Sequence, residues 1–136
     1  MELTDIVKPG MAREETFLVQ EDETALHIGS GASRVLASPW LIAFMERVSH
    51  RLIAERLPEE FSSVGVLINV RHVAPTPVGS QVKVRADITE VNGSRVTLNV
   101  QAWDHVELVG EGSHQRIVID QERFLRRVDA KRPAAG

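Results

Sequence analysis

Cysteine is missing from the 136 residues, which removes a disulfide framework, a thiolate metal site and a thiol nucleophile. Covalent chemistry here must use an oxygen or a nitrogen nucleophile. No run approaches the roughly 18 consecutive apolar residues that a membrane span needs. The start Met1-Glu2-Leu3-Thr4-Asp5 also lacks the basic stretch and apolar run of an export signal, so a cytoplasmic protein without membrane attachment is expected. An excess of basic charge is absent too. The formal net charge of -3 argues against a general nucleic-acid binder while leaving room for a local basic patch that grips a phosphate. There is no internal repeat and no low-complexity tract. With 43% hydrophobic and 26% charged residues, the chain fits one domain over 1–136 with a sizeable core, its ends (1–12 and 129–136) loose.

What is present is one helical pattern set among strands. From Ser38 to Leu57, Leu41, Met45, Val48 and Leu52 recur at three- and four-residue steps, with Ile42 and Ile53 widening the stripe. Ser38 suits an N-cap, Pro39 the first helical turn, and Pro58 a stop. Ahead of this helix, Glu15 to Gln20 and Thr24 to Ile28 read as two short strands, and the residues up to Pro9-Gly10 as a loose arm. Behind it, strands are expected over Val64 to Val73, Gln81 to Val91, Ser94 to Asp104 and Glu107 to Asp120, the last bending near Gly110 or Gly112. Asn92-Gly93 between two alternating runs signals a hairpin. Val82, Val84, Ala86 and Ile88 face one way while Lys83, Arg85 and Asp87 face the other, as in a sheet with one wet face. A short charged helix begins at Gln121. The layout is α+β: an antiparallel sheet of five to six strands must cover the long helix, since nothing else can bury its apolar stripe.

Three polar residues stand where a plain core pattern does not demand them. Ser38 reads first as a cap, Glu46 as a solvated residue at the stripe's margin, and His72 as a structural histidine on the face of Val66, Ile68 and Val70. Together they also suit acyl transfer. A hydroxyl at a helix N-terminus lies beside free N–H groups that can hold an oxyanion, histidine supplies a base, and a carboxylate can orient it, activate water or attack. Ser38 and Glu46 are eight residues apart, about 12 Å along a straight helix. A triad therefore needs His72 as a bridge, a looser helix start, or residues reaching across a subunit boundary.

Several segments carry a resemblance that covers roughly Thr16 to Phe124. They are Ala37-Ser38-Pro39-Trp40-Leu41-Ile42-Ala43-Phe44-Met45-Glu46, Val64-Gly65 ahead of Val70-Arg71-His72-Val73-Ala74, and Gly112-Ser113-His114-Gln115-Arg116. In these the chain resembles the fluoroacetyl-coenzyme A thioesterase family of hot-dog proteins. The resemblance implies a long central helix wrapped by the sheet, with Ser38, Glu46 and His72 as the catalytic set and Gly65 and Arg116 as substrate contacts. It also implies a homodimer with two equivalent sites at the interface, larger assembly being open, and no metal or redox cofactor, coenzyme A entering only within the substrate. Two departures bear on what carries over: Ser38 stands where the family enzyme has threonine, and Ala32-Ser33-Arg34-Val35-Leu36 lacks its aromatic lid residue. The implied activity is hydrolysis of a small acyl-coenzyme A thioester whose acyl group stays unnamed. The rival expectation is a non-catalytic acyl-coenzyme A or small-ligand binding protein on the same scaffold. A hot-dog hydratase ranks third, because no Asp and His pair lies early in the central helix.

Overall fold

The structure is a computed structural model and describes residues 2–134. In chain order the elements are β1 (Ala12–Leu18), α1 (Ala25–Ile28), α2 (Ser38–Ala54), β2 (Phe61–His72), β3 (Gln81–Asn92), β4 (Arg95–Trp103), β5 (Leu108–Asp120) and α3 (Gln121–Asp129). The five strands form one antiparallel sheet in the order β1-β3-β4-β5-β2, which leaves β1 and β2 as its edges. The sheet wraps α2, as the α+β reading requires. Among the described residues no helix is long and apolar enough to cross a membrane.

The core follows from the two periodicities. Leu41, Phe44, Met45, Val48, Leu52 and Ile53 of α2 are buried, and they meet Val82, Val84, Ala86 and Ile88 of β3 and Val96, Leu98, Val100 and Ala102 of β4. Each fully buried Leu, Ile or Phe in this layer contributes about 1.5–3 kcal/mol. The Asn92-Gly93 signal is realised as the β3–β4 turn, with Gly93 at φ 61, a left-handed conformation that glycine adopts without steric penalty.

Three expectations are corrected. Thr24 to Ile28 is not a strand. The Thr24 side chain accepts a hydrogen bond from the His27 N–H, and Gly29 ends the turn at φ 79, so one helical turn forms where the β-type residues suggested extension. The N-terminal arm is docked rather than loose: Val7 is fully buried, and Leu3, Ile6 and Met11 pack on the core. Ser38 is not the cap of α2. Ala37 holds that position, and the Ser38 hydroxyl is free for another partner.

Candidate functional site

Ser38 sits where two short connections are tied together. The Leu36 N–H donates to the Thr76 carbonyl at 2.8 Å, and the Ala37 N–H to the Glu23 carbonyl at 2.9 Å. Thr76, buried between two prolines, donates its hydroxyl to Asp104 at 3.0 Å. This clamp sets the start of α2 beside the end of β2, where Ser38 Oγ lies 2.7 Å from His72 Nδ1. With the hydroxyl donating, the ring proton resides on Nε2, which is buried and lacks a hydrogen-bond partner among the described residues. Burial holds His72 below the ordinary histidine pKa, the Ala74 backbone offsetting part of the effect. Helix-start N–H groups are scarce here. Pro39 has none, and Trp40 and Leu41 both donate to the Ala37 carbonyl at 3.0 Å, which leaves the Ser38 N–H as the one helix-start donor that an oxyanion there could use.

Glu46, two turns further along α2, belongs to a different cluster. Its Oε2 lies 3.7 Å from Arg116 Nη1, and a Cβ added to Gly65 would come within 2.9 Å of the same oxygen. β2 slips register between Gly65 and Leu67, a bulge, and the missing side chain admits the carboxylate. Arg116 is buried, so it is not the solvated surface arginine that its type suggests. Its Nε donates to Ser63 Oγ at 2.8 Å, Nη2 to the Ser63 carbonyl at 2.9 Å, and Nη1 to His114 Nε2 at 3.2 Å. Burial pulls the Arg116 pKa down, and the neighbouring Glu46 pushes it back.

The five expected residues therefore form two groups, Ser38 with His72 and Glu46 with Gly65 and Arg116. A regular α2 keeps Ser38 and Glu46 about 12 Å apart, and no hydrogen bond joins His72 to Glu46 among the described residues. One chain alone holds these residues in two separate clusters. A concavity of about 590 Å³ on the outer sheet face, lined in part by Lys83 and Trp103, shares no residue with either.

The family model for fluoroacetyl-CoA-specific thioesterase matches residues 19–122, which contain both groups. The chain belongs to the fluoroacetyl-CoA thioesterase family. It is similar to the fluoroacetyl-CoA thioesterase of Streptantibioticus cattleyicolor, at 32% identity over 97% of this chain and 99% of that one. The solved structure of the fluoroacetyl-CoA thioesterase FlK superposes with a TM-score of 0.87 at 32% identity, covering 93% of this chain and 98% of the other. A hot-dog-like protein from Thermanaerovibrio acidaminovorans reaches a TM-score of 0.90 at 24% identity, covering 99% and 100%, which speaks for the fold. The chain thus has the hot-dog fold expected of this thioesterase family.

Sequence reasoning missed three residues of the Glu46 cluster: Ser63, His114 and His50. A usable signal existed, since His114 and Arg116 alternate along the inward face of β5, where polar side chains need a reason. His50 lies one turn beyond Glu46 on the same side of α2, and burial, with Arg116 and Arg51 nearby, depresses its pKa. Burial likewise depresses His114. His50, His72 and His114 are thus all harder to protonate in the folded chain than at the ordinary value of 6.5. The unfolded chain binds protons first on acidification, so their contribution to stability is complete above 6.5 and is lost as pH falls through the depressed folded values. Thermal midpoints read between about pH 8 and about pH 5 are expected to be flat at the upper end and to drop below about 6.5. His114→Gln is expected to reduce that drop.

Proposed function

We propose that the protein is a cytoplasmic homodimeric thioesterase that hydrolyses a small acyl-coenzyme A thioester to free acid and coenzyme A. The observation that carries this reading is the division of a hydroxyl, a histidine, a carboxylate and a buried arginine into two half-sites, on a chain of a thioesterase family. Water attacks the thioester carbonyl and gives its proton to His72, or the Ser38 hydroxyl or the Glu46 carboxylate attacks first and water then hydrolyses the acyl-enzyme. The tetrahedral intermediate collapses with cleavage of the C–S bond, and the leaving thiolate takes up a proton delivered by the histidine. A substrate atom seated where Gly65 lacks a side chain lies within reach of Glu46 Oε2 and Arg116 Nη1, which a Cβ there would meet at 2.9 and 3.5 Å. The reaction needs no metal or redox cofactor, and a cysteine-free chain draws no stability from an oxidising compartment.

The dimer is what completes the site. β2 is a free sheet edge whose Val66, Leu67 and Ile68 are 49%, 43% and 38% exposed, an unpaired apolar edge of the kind that invites another strand. Antiparallel pairing of two β2 strands about a two-fold axis between Ile68 and Asn69 sets Gly65 of one chain opposite His72 of the partner subunit. Paired Cα atoms are then about 4.5–5.5 Å apart. Glu46 of one chain thereby approaches the Ser38–His72 pair of the other, and the orphaned Nε2 faces a populated interface.

The test is release of free coenzyme A from acyl thioesters spanning acetyl to long-chain and aryl groups, with His72→Ala and Ser38→Ala alongside. Turnover of a short member is expected, with His72→Ala lowering kcat by about 10²–10⁴-fold while folding is retained. An equal loss in Ser38→Ala would mark its hydroxyl as the attacking atom, and a smaller one as an orienting group. Thioester binding without release above the variants would overturn the reading and leave an acyl-coenzyme A binding protein.

A further inference from the structure

We infer that His114 is a positioning residue: as a neutral imidazole protonated on Nδ1, it holds the Arg116 guanidinium off the Glu46 carboxylate, so that the carboxylate keeps its lone pairs for the reaction. The inference rests on the thioesterase reading for its kinetic consequence and on geometry alone for its protonation state.

His114 is fully buried on β5, between Leu98 of β4 and Ile68 of β2 in the ladder. A buried imidazole needs partners for both nitrogens, and here the partners fix the tautomer. Nδ1 lies 2.8 Å from the Leu67 carbonyl oxygen, which only accepts, so Nδ1 carries the proton. Nε2 lies 3.2 Å from Arg116 Nη1, which only donates, so Nε2 is a lone pair. The imidazolium and the Nε2–H form would each set two donors face to face.

Two parts of the Glu46 cluster are fixed in this way. Leu67 is the residue at which β2 resumes pairing after the slip at Gly65, so the His114 bond to its carbonyl pins the bulge that opens space for the carboxylate. The second part is Arg116. Ser63 holds two guanidinium nitrogens, and His114 accepts one of the two N–H groups of the third, Nη1, anchoring it 3.7 Å from Glu46 Oε2. That separation supplies a countercharge while exceeding the roughly 2.7–3.2 Å of a direct N–H···O bond. Without an acceptor at residue 114, Nη1 loses its buried partner while the carboxylate still lies 3.7 Å away, within reach of a small shift. A direct charge-assisted bond would then stabilise the Glu46 anion and blunt it as base or nucleophile. The groups that face His114 are Glu46 from α2 and Arg116 from its own strand, and His50 of α2 lies near enough to Arg116 to feel its charge.

The experiment has two arms. In the parent protein, ¹⁵N ring shifts at neutral pH are expected to show His114 as the Nδ1–H tautomer. An Nε2–H or imidazolium form overturns the inference whether or not the protein is an enzyme. In the second arm, His114→Gln and His114→Asn are assayed on the shortest acyl thioester the parent hydrolyses, with thermal midpoints measured in parallel. The longer amide reaches Arg116 and the shorter one does not. Asn is therefore expected to lower kcat about 10-fold or more with KM little changed and the acid limb of the rate profile moved to lower pH. Gln should restore most of the rate. A folded Asn variant with kcat within about two-fold of the parent overturns the inference, and should Asn fail to fold, the tautomer decides. A parent that releases no coenzyme A from any thioester refutes the thioesterase reading and leaves the tautomer result standing.

Discussion

Glu46→Gln is expected to lower kcat by about 10²–10⁴-fold, the range for loss of a positioned acid or base, with little change in KM. The substitution keeps the shape of the side chain and removes its charge and basicity. Stability is the point at which another outcome could be imagined, because Arg116 is buried and Glu46 is the carboxylate nearest to it. Breaking a fully buried ion pair costs about 3–5 kcal/mol. This pair is different: the Arg116 side chain is 7% exposed but that of Glu46 is 41% exposed, so water already screens the interaction, and Nη1 and Oε2 are 3.7 Å apart. Arg116 also keeps its bonds to Ser63 and His114 in the variant. The expected stability change is about 1 kcal/mol or less. Stopped assays of coenzyme A release, with a denaturant titration on the same preparations, separate the two effects. A variant that loses rate and folding together would mean that Glu46 serves the fold. A variant that loses neither would move the reactive carboxylate elsewhere.

How much of this site could be read from residue order depends on which residues act locally. The long helix was legible because its stripe and its prolines are adjacent in sequence, and the β3–β4 hairpin because Asn92-Gly93 fixes its own turn. Thr24 to Ile28 misled because a five-residue run carries too little periodicity to separate strand from helix. The better cues were Thr24 three residues ahead of a donor N–H and Gly29 just past the turn. Burial of Val7 was not legible at all, since it depends on a surface that exists only once the sheet has formed. Among the expected site residues, Ser38, Glu46 and His72 stood out as polar positions in an apolar pattern and the family resemblance joined them into a set, while Gly65 and Arg116 came from the resemblance alone. The eight-residue spacing of Ser38 and Glu46 already spoke against direct contact along a straight helix, and the regular α2 keeps them apart, in two separate clusters. His114 was visible only as a neighbour of Arg116 on one strand face. Its partner, the Leu67 carbonyl, lies 47 positions away and is presented by a bulge that no local rule locates.

Among the described glycines, Gly112→Ala is expected to be the most damaging change to alanine, destabilising the fold by about 3 kcal/mol or more. Gly112 pairs with Val70 of β2 on one side and Val100 of β4 on the other. A Cβ there would lie 2.0 Å from the Asn69 carbonyl oxygen, 2.7 Å from Val70 Cα and 2.9 Å from the Asn69 carbonyl carbon. All three are backbone atoms, so no rotamer change relieves the clash and the β2–β5 ladder must open. Against a total stability of about 5–15 kcal/mol for a domain of this kind, such a loss is visible as a large fall in the thermal midpoint. Gly93→Ala makes the control: its φ of 61 is unfavourable for alanine, yet nothing lies within 4 Å of the added carbon. The penalty there is the left-handed backbone alone, about 1–2 kcal/mol. Function should follow the ladder as well. The same pairing sets Gly65 against Arg116 and His72 against Gly110, so a displaced β2 carries one member of each half-site away from its partners. Any folded fraction of Gly112→Ala is therefore expected to bind and turn over thioesters far less well than Gly93→Ala at equal folded concentration. Equal specific activity in the two would show that the half-sites tolerate a shift of β2, and would locate the chemistry on α2 and β5 alone.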